Sequence, residues 1–193
     1  MTLKCIVNGS NMEDISCVSI NDCYAIYFRI HEVNRKIMLY RKEDELNHAL
    51  MLSGTIPIFV EPVTTTSDDM KEYLGLNRDY LQIVSTSKEF LAELFISYPT
   101  IDLGLLETSG KYLDVTEDDY YISFIILKHA DDCGQRIKEL REKNSTLRIY
   151  ISCVAHTCTE YEIRQYIRWK PDGIIVDPHR VEKINKLVSL YTK

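Results

Sequence analysis

Two short stretches of the sequence carry residue types that could bind a metal or move a proton. Cys153, His156 and Cys158 place three soft ligands within six residues, so a zinc site is one interpretation. None of the six cysteines forms a CxxC pair and no second cluster completes a tetrahedron, which favours small buried thiols in a reducing compartment. His31 is followed by Glu32 and could act as a base, although no partner lies nearby in the sequence.

Length and charge limit the classes of function that these residues could serve. The 193 residues are enough for one domain, and we expect that domain to span residues 1–193. The formal net charge is −6 and the Lys and Arg residues are scattered, which argues against nucleic acid as a partner. The sequence contains no run long enough for a membrane span and no secretory signal, so we expect a cytoplasmic protein without a membrane span.

Short apolar or β-branched runs alternate with amphipathic stretches along the whole chain. Eight runs are candidates for buried parallel strands, at residues 3–7, 23–30, 56–61, 80–85, 101–106, 120–127, 147–154 and 172–177. Eight strands alternating with helices fit either an open doubly wound sheet or a closed barrel. Neither of the glycine-rich nucleotide-binding fingerprints is present to support the open sheet. We therefore predict an α/β fold, a small single-domain (β/α)8 barrel of the TIM type.

Helical periodicity accounts for most of the segments between these strands. Helices are predicted at residues 44–52, 87–98, 131–143, 159–169 and 181–191, and an extra extended piece at residues 35–41. Asp177 is expected to cap the last helix with Pro178 in its first turn, and Trp169 to pack between helices. From Gly9 to Cys23 the first helix looks reduced, which would expose apolar strand residues. Either a homodimer through this region or the local loop would then cover them.

Five segments, taken in order, resemble the glycerophosphodiester phosphodiesterase family. They are residues 56–61 (IPIFVE), 80–91 (YLQIVSTSKEFL), 99–107 (PTIDLGLLE), 147–154 (LRIYISCV) and the closing run 170–178 (KPDGIIVDP). Each motif alone is short, but together they cover most of the chain with consistent spacing. The resemblance implies a TIM barrel of the phospholipase-C-like phosphodiesterase superfamily, with a role in lipid metabolism.

The chain departs from that family at the residues that would carry its chemistry. The resemblance implies two metal-binding carboxylates on the second strand, where this sequence has Tyr27 and Arg29, and a His-Asp pair where it has Tyr40 and Arg41. Only the metal-binding Glu of the third barrel strand is kept, as Glu61. One carboxylate is too few for Mg²⁺ or Ca²⁺, and Arg29 puts a fixed positive charge in the metal's place. We therefore expect a degenerate, inactive member with no cofactor, and the alternative is Mg²⁺ or Ca²⁺ near Glu61.

Strand parity predicts what the substituted residues do instead. Tyr27, Arg29 and Glu61 should point into the barrel at the carboxyl ends of adjacent strands. We predict an ion pair between Arg29 and Glu61, because a buried carboxylate without metal or partner would be costly. A further hypothesis is an anion pocket in which Tyr27, Arg29, Tyr40 and Arg41 hold a phosphate-bearing ligand, since guanidinium groups bind phosphate without a metal.

Three classes of function follow from these observations. The favoured one is a pseudoenzyme that binds a protein partner or a phosphorylated small molecule. The second is an active phosphodiesterase or lyase acting on glycerophosphodiesters or phospholipids, with a rearranged site built on Glu61, Glu107, His31 or His156. The third is a regulatory barrel that senses glycerol phosphate without hydrolysing it.

Overall fold

The structure is a computed structural model that describes residues 3–9, 23–33, 36–39, 56–76, 81–108, 112–154 and 158–191. Nine strands lie within these residues: β1 (Lys4–Asn8), β2 (Ala25–Val33), β3 (Lys36–Leu39), β4 (Ile58–Pro62), β5 (Leu81–Ser85), β6 (Asp102–Glu107), β7 (Ile122–Lys128), β8 (Arg148–Ser152) and β9 (Gly173–Val176).

All the strands except β3 are parallel and form a closed barrel. Each barrel strand pairs with the next barrel strand along the chain, so β2 pairs with β4, and the pairing of β1 with β9 closes the barrel. Strand β3 turns back antiparallel on β2, with Leu39 opposite Ile30. The predicted (β/α)8 barrel of the TIM type is therefore confirmed, and β3 is the extra extended piece expected around residues 35–41.

Helices follow the later strands on the outside of the barrel. They are α1 (Ser67–Leu76), α2 (Lys88–Ser97), α3 (Cys133–Lys143), α4 (Glu160–Trp169) and α5 (Val181–Tyr191). Side chains fix two of the helix starts, since Ser87 accepts a hydrogen bond from the N–H of Phe90, and Thr159 and Glu162 cap α4 reciprocally. Within the described ranges, no helix has the length and apolar character needed to cross a membrane.

Side chains along each strand point alternately into the barrel and toward the helices, which divides the core into an inner and an outer layer. The inner layer fills the barrel, and its rings Phe59, Phe124 and Tyr150 meet edge-to-face with centroids 5.1–5.8 Å apart. Gly104 makes room for this layer, because a Cβ there would lie 2.0 Å from the ring of Phe124. The outer layer, which includes Ile26, Phe28, Ile30 and Val60, packs between strands and helices as the parity argument predicted.

Some sequence expectations met a different outcome or fall outside the described residues. Helix α1 was not predicted; among its described side chains, Met70 and Leu74 are the buried ones. The expected helix at residues 44–52 lies outside the described residues, as does nearly all of the segment between Gly9 and Cys23, with its proposed reduced helix and dimer contact.

Candidate functional site

The candidate site lies at the carboxyl ends of the barrel strands, which we call the mouth. Tyr27 and Arg29 come from β2, and Arg29 is the direct register partner of Glu61 on β4. Tyr27 belongs to the inner core layer, whereas its neighbours Ile26 and Phe28 belong to the outer one. The two-residue period then brings Arg29 and Glu61 to the same inward side, one layer nearer the opening than Tyr27.

The ion pair predicted between Arg29 and Glu61 is confirmed. Arg29 Nε lies 3.1 Å from Glu61 Oε2, and the Tyr27 hydroxyl donates a hydrogen bond to the same oxygen. The Glu61 side chain is 15% exposed and that of Arg29 is 46% exposed, so the pair sits at the boundary between barrel and solvent. Burial, reinforced by the negative charge of Glu61, raises the pKa of Tyr27, and the phenol therefore stays protonated as a donor.

These residues form one wall of a cavity of about 310 Å³. Its lining consists of Asn8, Tyr27, Arg29, Glu61, Leu106, Lys128, His129, Ser152 and Val154. Two fixed cations, Arg29 and Lys128, face one carboxylate, Glu61, so the lining carries a net positive charge even with neutral histidine. A cavity mouth of this kind attracts anions and repels cations.

Lys128 was missed by the sequence analysis, because the predicted strand ended one residue earlier at Leu127. Along β7 the inward residues are Phe124 and Ile126, so the next inward position is Lys128, in register with Ser152 on β8. Its side chain is exposed and forms no ion pair with any carboxylate among the residues described. It is therefore the cation at the mouth that a bound anion can meet without displacing another partner.

His129 follows β7 directly and was also missed, although its position after a barrel strand was a usable signal. Its Nδ1 lies 2.5 Å from the Tyr166 hydroxyl and its Nε2 lies 3.3 Å from Glu162 Oε1. Burial raises the pKa of Tyr166, so the phenol keeps its proton beside Nδ1. Both ring nitrogens are thereby engaged with α4, and the histidine anchors this helix to the mouth rather than serving as a proton shuttle.

The remaining sequence candidates either lie away from this mouth or fall outside the described residues. Glu107 belongs to the outward side of β6 and is fully buried in an ion pair with Arg136 of α3, at 2.5 Å. His31 lies beyond the barrel end of β2, opposite Met38 of β3. Tyr40, Arg41 and His156 fall outside the described residues, as nothing is described at residues 40–55 and 155–157.

Asp177 occupies the cap position that was predicted, but its side chain does not cap. The turn after it is a 3-10 helix (Pro178–Arg180) with Pro178 in the first turn, and Asp177 makes no side-chain capping bond. Its carboxylate instead accepts a hydrogen bond from Asn8 at 3.4 Å and lies 3.9 Å from Arg180. The local backbone was predicted correctly, but the predicted capping role of the side chain was wrong.

The two cysteines of the predicted zinc cluster are buried. Cys153 is fully buried, Cys158 is 8% exposed, and neither forms a disulfide. A hydrogen bond with Cys158, together with burial, raises the pKa of Cys153, and burial raises the pKa of Cys5 to about 12. Thiols in such surroundings are poor nucleophiles and poor metal ligands, because both roles require the thiolate.

The barrel superposes on structures of known function. A glycerophosphodiester phosphodiesterase from Parabacteroides distasonis ATCC 8503 matches with a TM-score of 0.76 at 11% identity, over 100% of this chain and 99% of that chain. An Oleispira antarctica phosphodiesterase in complex with the product sn-glycerol-3-phosphate matches with a TM-score of 0.75 at 8% identity, over 96% and 97%. The fold is that of the glycerophosphodiester phosphodiesterases.

The likeness is one of fold. N-(5'-phosphoribosyl)anthranilate isomerase from Pyrococcus furiosus also matches, with a TM-score of 0.63 at 13% identity, over 98% of this chain and 100% of that chain. No protein-family model and no curated protein matches the sequence. What the mouth can do must therefore be argued from its own residues.

The residues at the mouth do not fit the divalent metal that the phosphodiesterase resemblance implies. A hard cation such as Mg²⁺ or Ca²⁺ needs several oxygen ligands with carboxylate charge, and Glu61 is the single carboxylate among the described residues that line the cavity. One of its oxygens already contacts Arg29 and Tyr27, and the guanidinium would repel a second cation. Across the described ranges, no group of three or more His, Cys, Asp or Glu side chains is arranged to hold a metal.

Proposed function

We propose that this protein is a pseudoenzyme that binds a small phosphate-bearing anion in the barrel mouth without hydrolysing it. The observation that carries the proposal is the ion pair of Arg29 with Glu61, which puts a guanidinium where a divalent ion would have to sit. Lys128 on the opposite wall adds a cation that has no carboxylate partner among the described residues. Asn8 and Ser152 add polar groups that can hydrogen-bond phosphate oxygens.

The size of the cavity supports a small ligand. Ligand cavities run from roughly 300 to 1,000 Å³, and the mouth, at about 310 Å³, lies at the lower end. That volume suits a phosphorylated small molecule such as glycerol phosphate and is too small to enclose a lipid with acyl chains. The Oleispira antarctica phosphodiesterase with the same fold is described in complex with sn-glycerol-3-phosphate, which makes this compound the first ligand to test.

The proposal extends to the cellular setting. None of the five described cysteines, Cys5, Cys23, Cys133, Cys153 and Cys158, forms a disulfide. Free thiols are typical of a reducing compartment such as the cytoplasm, where phosphorylated metabolites are found.

Calorimetry and a turnover assay test the proposal together. Wild-type protein should bind sn-glycerol 3-phosphate, and Lys128→Ala should weaken binding about 10- to 100-fold, the equivalent of one charge-assisted contact of about 1.5–3 kcal/mol. Lys183→Ala removes an exposed charge on α5, outside the mouth, and is the matched control.

The turnover assay supplies glycerophosphocholine and glycerophosphoethanolamine with Mg²⁺ or Ca²⁺. We expect no hydrolysis above that of buffer. Turnover that disappears in Glu61→Ala would show an active phosphodiesterase and refute the pseudoenzyme. Equal binding by wild-type protein and Lys128→Ala would refute the anion site.

A further inference from the structure

A second cavity, which we call the basic groove, lies between α3 and α4 at the end of the barrel opposite the mouth. Its volume is about 580 Å³, and it is lined by Gly134, Ile137, Lys138, Arg141, Ser145, Arg168, Trp169, Lys170 and Asp172. Ser145 precedes β8 and Asp172 precedes β9, which places the groove at the amino ends of these strands. It shares no lining residue with the mouth.

The charge of the groove is opposite to that of the whole protein. Four cations line it, Lys138, Arg141, Arg168 and Lys170, on a chain whose formal net charge is −6. The one carboxylate of the lining, Asp172, is already bound by Arg141 at 2.6 Å and by the N–H of Ile149 at 2.7 Å.

Two of these cations have no counter-ion among the described residues. Arg168 and Lys170 are exposed and form no ion pair with any carboxylate in the part of the chain that the structure describes. Lys138 reaches Glu142 only at 3.9 Å, with both side chains largely exposed. An exposed pair of this kind contributes little, so Lys138 remains available to an anionic partner.

Between these cations the groove has an apolar floor. Trp169 packs against Tyr166, with ring centroids 5.7 Å apart, and its indole lies over Gly134, where a Cβ would come within 2.4 Å of Nε1. Trp169 thus fills the helix-packing role predicted from the sequence. It is only partly buried, however, and leaves apolar surface at the base of the groove, above the buried Ile137.

The backbone at Lys170 adds an observation that packing does not explain. Lys170 ends α4 in the left-handed conformation, with φ 57° and ψ 48°, the one described non-glycine residue with a positive φ. Glycine is the usual residue at such a position because it has no Cβ to strain. A lysine here keeps a positive charge at the rim of the groove against the preference of the backbone.

We propose that the basic groove is a docking site for an acidic segment of a partner protein. Carboxylates of the segment would lie against Arg168 and Lys170, and an apolar side chain between them would cover Trp169. A nucleic acid fits less well, because a long phosphate backbone would run beyond four cations onto a surface that is negative overall. The surface is separate from the mouth, so its test does not depend on the anion site.

Trp169 is the only tryptophan of the sequence, so its fluorescence reports on the groove alone. The probe is a short synthetic peptide of Glu, Asp and Leu, titrated at low ionic strength, with a peptide of Lys and Leu as its counterpart. We expect the acidic peptide to shift the emission saturably, and added salt to weaken the binding because screening acts on exposed charges. The lysine peptide should produce no saturable change.

Paired charge reversals distinguish binding at the groove from a general effect of the protein's net charge. Arg168→Glu/Lys170→Glu should weaken binding of the acidic peptide about tenfold or more, equivalent to about 1.4 kcal/mol. Lys183→Glu/Lys186→Glu makes the same change of charge on exposed positions of α5 and should leave the affinity within about twofold. Circular dichroism checks that both variants are folded.

Four outcomes would overturn the proposal. They are no saturable response in the wild-type protein, equal binding of both peptides, equal weakening in both paired variants, and tighter binding of an oligodeoxythymidine than of the acidic peptide. The last would assign the groove to nucleic acid instead.

Discussion

Removing one member of the buried pair Glu107 and Arg136 should cost far more stability than removing both. Glu107 ends β6 with its side chain fully buried, and Arg136 of α3 is 7% exposed. Arg136 donates from Nε to Oε2 at 2.9 Å and from Nη2 to Oε1 at 2.5 Å, and the N–H of Leu113 donates to Oε1 at 3.1 Å. The carboxylate is therefore satisfied entirely within the protein.

The magnitude follows from the burial of both groups. Arg136→Met keeps most of the volume but leaves a buried carboxylate without its cation, which should lower the free energy of unfolding by about 3–5 kcal/mol. Glu107→Leu leaves the guanidinium only the carbonyl of Leu113 and the half-exposed carboxylate of Glu139, at 3.8 Å, so its loss should be somewhat smaller. The double variant Glu107→Leu/Arg136→Met leaves no buried charge and should lie within about 1 kcal/mol of the wild type, because apolar replacement of a buried pair is often neutral.

Urea unfolding of the four proteins, followed by circular dichroism at neutral pH, measures these differences. Unchanged slopes would show that the same surface is exposed on unfolding in each variant. A double variant that loses the sum of the two single losses would refute the reasoning, since additivity means that the groups do not interact. The double variant should also bind sn-glycerol 3-phosphate like the wild type, because Glu107 faces the helices and not the mouth.

Two further predictions concern a titrating carboxylate and a strained backbone. Burial tends to raise the pKa of Asp119, but the ammonium of Lys88 at 2.7 Å and the N–H of Thr116 at 2.8 Å outweigh it and leave the pKa below its usual range. The stabilisation is thus complete above the unfolded pKa of about 3.9 and lost as the pH falls through the folded value. The difference in free energy of unfolding between wild type and Asp119→Asn, measured in urea titrations, should therefore disappear in acid. A difference that is constant with pH contradicts this. Lys170→Gly should raise the free energy of unfolding by up to about 1 kcal/mol and weaken binding of the acidic peptide. Lys170→Ala should weaken that binding without stabilising the protein. A Lys170→Gly variant less stable than the wild type would contradict this prediction.

The barrel was predictable from the sequence because its strands are buried on both faces and read as continuous apolar runs. The same two-residue period put Arg29 and Glu61 on one side of neighbouring strands, so their ion pair could be predicted before any geometry was known. Both successes depend on local regularity within a strand and on the closure of the barrel.

The features that were missed depend on contacts between elements that are distant in the sequence. Lys128 lies one residue beyond the apolar run that marked β7, and only the pairing with β8 shows that the strand continues to it. His129 takes its role from Tyr166 and Glu162 on α4, more than thirty residues away. Asp177 does not cap the helix but accepts a hydrogen bond from Asn8, which the pairing of β1 with β9 brings close to it.

The proposed anion site depends on the balance of charges at the mouth. The charge of Arg29 is largely offset by Glu61, its register partner, so this pair alone leaves the mouth nearly neutral. Lys128, across the cavity, then supplies the net positive charge that an incoming anion meets. A metal site would need carboxylates in place of the cationic and neutral side chains at several of these positions at once. No single substitution among Tyr27, Arg29 and Lys128 supplies enough carboxylates, which is the reason for proposing binding without hydrolysis.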